Sequence, residues 1–181
     1  MRHALLCVAA GLVLMAACSK KPEAAPAANA ASSVATPAVA PAPAAGPAVS
    51  GVFTGDGQPA TLTQVTAHPD DPFDGQPVTA IVFTAKDQGG DPKAAIAALF
   101  GNYGEAIVAR VTPDGKLVGA DVVHPGLKTP GGASVSLSGV LTIENYKSDG
   151  GQLSGRLTSN GDQDVFGHKL KVDLTFHAKA P

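Results

Sequence analysis

Lys169-Leu170-Lys171-Val172-Asp173-Leu174-Thr175-Phe176-His177 decides the fold class. Leu170, Val172, Leu174 and Phe176 fall on one side of an extended chain. Lys169, Lys171, Asp173, Thr175 and His177 fall on the other. A strict period of two over nine residues is the pattern of a β-strand with one face in a core and one in water.

Working outward from this segment, the same punctuation recurs. β-prone runs are expected at Gly51–Thr54, Ala60–Ala67, Val78–Thr84, Glu105–Thr112, Leu117–His124, Ser134–Tyr146 and Gln152–Ser159. Thr112-Pro113-Asp114-Gly115 combines Pro, Asp and Gly as a turn between two runs, which makes a hairpin, and Asp149-Gly150-Gly151 predicts another. One helix interrupts the strands: Asp91 as cap, Pro92 in the first turn, Ala94–Phe100 as body and Gly101 as left-handed stop. Ile96, Leu99 and Phe100 are expected to face the sheet, with the helix plugging one end of the structure. Short strands and short turns predict an all-β domain over residues 49–181, an antiparallel β-sandwich or small barrel with one short helix.

Composition narrows the function classes. Charged residues make up 15% of the 181-residue chain, against roughly 25% for an ordinary domain, and the net charge is −2. No basic stripe marks a nucleic-acid footprint. The chain has no Trp, and aromatic residues total 4%, too few for a stacking platform. Its two cysteines, Cys7 and Cys18, both precede the β-rich region, so that region forms no disulfide. Residues 49–181 are numerous enough to close a core without one.

The first half-hundred residues read differently. Met1-Arg2-His3 supplies a positive start, and Ala4 through Ala16 form an apolar stretch too short to span a bilayer. Leu14-Met15-Ala16-Ala17-Cys18 then resembles the bacterial lipobox, with Met15 where that motif usually has Leu. The resemblance implies a signal peptide over residues 1–17 and a diacylated Cys18 as the mature N-terminus, anchored in a lipid bilayer. Two acyl chains hold a protein where one does so only marginally. Ser19, in place of the Asp that marks inner-membrane retention in lipoproteins, implies the periplasmic face of the outer membrane. Residues 18–48 continue as a Pro/Ala-rich tether in which Pro37, Pro41, Pro43 and Pro47 recur too often for a helix interior. A disordered, partly polyproline spacer is expected.

Candidate chemistry is sparse. His68-Pro69-Asp70-Asp71-Pro72 sets an imidazole and two carboxylates within four residues, a donor set for a divalent cation, and His124-Pro125 closes a strand that could approach it. The spacing matches no metal signature, and flanking prolines equally describe a rigid polar loop. Ser134, Ser136 and Ser138 alternate along a strand and lack the Gly-x-Ser-x-Gly elbow of a nucleophile. Gly161-Asp162-Gln163-Asp164 reads as a solvated loop without the further ligands of a calcium site. Tyr103, between Gly101 and Gly104 with Asn102, suits either a partner contact or a fold back over the core edge. Two functions follow: a non-enzymatic envelope module that binds a protein or peptide, or a metal-assisted hydrolase built on His68, Asp70, Asp71 and His124. The first is the expectation, with no cofactor implied.

Overall fold

The computed structural model describes residues 48–127 and 134–181. The signal-peptide and lipidation expectations, and nearly all of the tether, lie outside these residues. Two antiparallel sheets pack face to face as a β-sandwich. The first sheet contains β1 (Ala48–Gly55), β2 (Gln58–Ala60), β8 (Thr142–Asp149), β9 (Gln152–Thr158), β10 (Gln163–Val165) and β11 (His168–Lys179), in the order β2-β1-β11-β9-β8, with β10 also pairing β11. The second contains β3 (Gln64–Phe73), β4 (Gln76–Thr84), β5 (Ala106–Val111), β6 (Leu117–Val123) and β7 (Val135–Ser136) in sequential order.

The alternating segment is the heart of the first sheet. Leu170, Val172, Leu174 and Phe176 are each at most 2% exposed. They meet Ile81, Phe83, Ile107 and Val122 of the second sheet in one apolar core. The two sheets do not run along each other. Phe53, near the end of β1, packs on His124 just past β6, whereas the far end of β11 lines a cleft with Val65, Thr66 and Ala67 of β3. The long strands β1 and β11 therefore cross the second sheet from its β3 side to its β6 side, as in steeply crossed sandwiches.

Several local expectations change. His68 to Pro72 is part of β3, not a loop. β3 is an edge strand, where the missing N–H groups of Pro69 and Pro72 break no ladder in the sheet interior and protect the edge. The run Ser134–Tyr146 is two strands: after β7 the chain turns at Gly139 and crosses to the other sheet as β8, anchored by buried Leu137 and Leu141. Gln163–Val165 is a strand, not a loop.

The short helix α1 (Ala94–Leu99) lies on the outer face of the second sheet, against Ala80, Val82, Ala106 and Val108, and plugs no end. It buries Ala94 and Ala98; of the three residues expected to face the sheet, Leu99 packs on it, while Ile96 and Phe100 are 60% and 72% exposed. Small residues let the helix sit close to a sheet surface itself built of Ala and Val. Asp91 accepts from the Lys93 N–H at 2.8 Å, one turn ahead of the helix, and no side chain caps the helix itself. Gly101, at φ 74°, is the left-handed stop.

Candidate functional site

Strand register fixes where the sequence candidates lie. His68 is opposite Ala80, Ala80 opposite Arg110, and Arg110 opposite Gly119. All four belong to one row on the outer face of the second sheet. Asp70, two residues along, reaches the same face, where its Oδ2 accepts from Arg110 Nε at 2.9 Å. Asp121 Oδ2 accepts from Nη1 of the same guanidinium at 2.5 Å. Burial alone draws the Arg110 pKa down, but Asp121 and Asp70 outweigh it and hold the guanidinium above its usual value. Arg110 is thus neutralised on both sides.

His68 joins a second network. The Thr66 hydroxyl donates to Gln88 Oε1 at 2.6 Å, which commits its only proton, so His68 Nε2, 2.9 Å away, is the donor to Thr66 Oγ1. The Gln88 amide in turn donates to Thr84 Oγ1 at 3.0 Å. Nearby, Tyr103 folds back over the sheet beside Leu99 and donates its hydroxyl to Asp91 Oδ2 at 2.6 Å. That bond and the Lys93 N–H lower the Asp91 pKa, and the same bond together with burial raises that of Tyr103. Asp71 is exposed, and its backbone N–H donates to Asp70 Oδ1 at 2.9 Å.

His124 is elsewhere. It follows Gly119 by five residues along β6, and β6 is three strands from β3. At ~3.3 Å per residue and ~4.8 Å per strand, His124 and His68 stand on the order of 20 Å apart. The four residues proposed for a metal site are not brought together. Among the described residues no three His, Cys, Asp or Glu side chains converge as a metal would require. His124 instead closes a corner of the core. It is 4% exposed, packs edge-on against Phe53 at 4.7 Å, and accepts the Gly126 N–H on Nδ1 at 2.9 Å. Its Nε2 is buried without a hydrogen-bond partner among the described residues. Burial lowers its pKa against the opposing pull of Glu105, the Gln58 backbone and Asp56.

The feature that sequence reading missed lies beyond this corner, where two hairpin turns are held side by side. In the β1–β2 turn, Asp56 N–H donates to Lys169 O at 2.7 Å, and the Asp56 carboxylate accepts the Lys169 N–H at 2.7 Å and contacts His168 Nδ1 at 2.6 Å. The His168 contact and the Lys169 N–H hold the Asp56 pKa below the usual carboxylate range. The neighbouring β10–β11 turn is Phe166-Gly167. Both of its residues have positive φ, 53° and 83°, as a two-residue type I′ hairpin demands.

Three other hairpins place the same geometry on Asp56-Gly57, Asp74-Gly75 and Gly150-Gly151. Asp and Gly tolerate the left-handed region; a bulky side chain does not. Phe166 is 82% exposed, more than any other large hydrophobic side chain among the described residues. It gains no burial that would offset its strained backbone. Asp164, two residues before it, accepts from the Gly167 N–H at 3.1 Å and from Lys169 Nζ at 3.2 Å.

No known protein family, curated protein or solved structure matches this chain.

Proposed function

We propose that this chain is a lipid-anchored envelope protein whose sandwich is a binding module, with the Phe166 turn as its contact point. The observation that carries the reading is an aromatic side chain held in solvent on a backbone conformation that Asn or Asp would occupy at lower cost. Large aromatic anchors of this kind dominate binding energy at protein interfaces. The charged groups on the outer face of the second sheet, by contrast, are engaged with one another.

The anchor is Cys18, acylated after removal of residues 1–17, and the address is the periplasmic face of the outer membrane. About thirty tether residues separate Cys18 from β1, a reach of about 90 Å as an extended polyproline chain. β1 begins at Ala48, opposite His177. Nine residues of β11 separate His177 from His168, so the Phe166 turn stands ~30 Å from where the tether joins the domain. This position favours presentation of the turn away from the tether junction.

Two measurements test the proposal. Cells fed a palmitate analogue should label the wild-type chain and not Cys18→Ala. A photo-reactive phenylalanine at position 166 should cross-link to a discrete protein in living cells, while the same probe at Thr175, on the exposed face of β11, should not. A labelled Cys18→Ala chain refutes the anchor, and equal cross-linking at both positions refutes the contact point.

A further inference from the structure

The opposite end of β11 carries a feature that complements the Phe166 turn. Val65, Thr66 and Ala67 of the β3 edge and Lys179, Ala180 and Pro181 enclose a mainly apolar cleft of about 440 Å³. An apolar cavity of about 150 Å³ accepts a benzene ring, so the cleft has ample room for a phenyl group. Its rim carries one cation, Lys179. The turn at the other end carries Phe166, preceded along β10 by Asp164, which pairs with Lys169, and by Asp162 just ahead of the strand. Asp162 forms no ion pair among the described residues, and Lys179, Asp162 and Asp164 are all exposed.

We infer that Phe166 of one copy inserts into the Val65–Pro181 cleft of a second copy, with Lys179 of the cleft meeting the exposed carboxylates of Asp162 and Asp164 that lead along β10 to the inserted ring. This rests on the reading of the Phe166 turn as a contact point and names a second copy of this chain as its partner. Knob and cleft lie at opposite ends of one strand, some 11 residues or ~36 Å apart. The contact is therefore head-to-tail: a copy that uses its knob leaves its cleft free for the next. Tethering to one membrane surface raises the local concentration of copies, so a contact that is weak in dilute solution operates there.

The test is sedimentation of the full mature chain, rendered soluble by Cys18→Ser, over a concentration series. Wild type should form a concentration-dependent series of dimers and larger species. Phe166→Asn retains the cleft and lacks the knob; Lys179→Glu retains the knob and repels it from its own kind of cleft. Each variant alone should be monomeric, with a melting temperature no lower than that of the wild type. Mixed in equal amounts they should form dimers and nothing larger, because the only competent pairing is the Lys179→Glu knob in the Phe166→Asn cleft. A wild type that stays monomeric throughout, or assembly that survives Phe166→Asn, overturns the inference. A monomer whose position 166 still cross-links to a different envelope protein overturns self-association alone; a monomer with no position-specific cross-link overturns both this inference and the reading beneath it.

Discussion

Phe83 of β4 and Phe176 of β11 meet edge to face across the two sheets, with ring centroids 5.4 Å apart and planes at 85°. Both are fully buried, and the geometry is the one aromatic quadrupoles prefer. Gly155, opposite Phe176 on β9, keeps the space the ring fills: an added Cβ there would lie 3.2 Å from it. Phe176→Ala opens a cavity between sheets that cannot collapse independently, and should cost about 3–5 kcal/mol. Urea unfolding should show this as a lower midpoint at unchanged slope. Phe176→Leu should cost clearly less.

The His124 corner makes stability depend on pH. The unfolded imidazole titrates near 6.5, and burial lowers the folded value. The native state therefore binds fewer protons than the unfolded state in the window below 6.5. Stability from this group is whole above pH ~6.5 and is lost as pH falls from there toward the folded pKa. Protonation must also break the Gly126 N–H bond to Nδ1. Urea midpoints at pH 8 and pH 5 should differ in wild type by more than in His124→Gln. Equal differences would show that His124 is not the group responsible.

The same corner predicts a steric effect. A Cβ on Gly55 would sit 2.5 Å from His124 Nδ1, inside any permitted contact. Gly55→Ala should therefore destabilise by about 1–3 kcal/mol, the range for overpacking a filled core. Gly119→Ala, on β6 with ordinary backbone and only van der Waals contacts around an added Cβ, should not show that clash and tests whether the cost is steric.

Arg110 sits between two carboxylates, and the three side chains are 21–29% exposed. Partial solvation places the ion pairs between surface bridges, worth at most about 1 kcal/mol, and buried ones, whose disruption costs about 3–5 kcal/mol. Arg110→Met leaves Asp70 and Asp121 facing each other and should cost more than Asp121→Asn, which leaves Arg110 one partner. Thermal melts of the two variants at low and high salt should preserve that order, with the gap narrowing as salt screens the carboxylates.

The sandwich was legible because its core strand alternates without interruption and its Pro-Asp-Gly and Asp-Gly-Gly turns are strong local signals. The misreadings have physical causes. Prolines at 69 and 72 resemble a loop until β3 is known to be an edge strand, which depends on tertiary order. The apolar residues of α1 suggest one inward face, yet the sheet beneath takes Ala98 and Leu99 and leaves Ile96 in solvent. The Asp56-Gly57 and Asp74-Gly75 hairpins carried a readable signal. Phe166-Gly167 did not, because Phe is the wrong residue for its turn. The Arg110 bridge joins residues 40 and 11 positions apart in sequence, and no local pattern announces such a pair.

Thermal unfolding of Phe166→Asn tests the central claim most directly, that this residue serves contact at the expense of the fold. Asn accepts the left-handed backbone that Phe resists, and Phe166 contributes little burial to lose. A gain of about 1 kcal/mol is expected, read as a melting temperature roughly 2–6 °C higher. A melting temperature below that of the wild type would mean that Phe166 supports the sandwich, and would contradict the account.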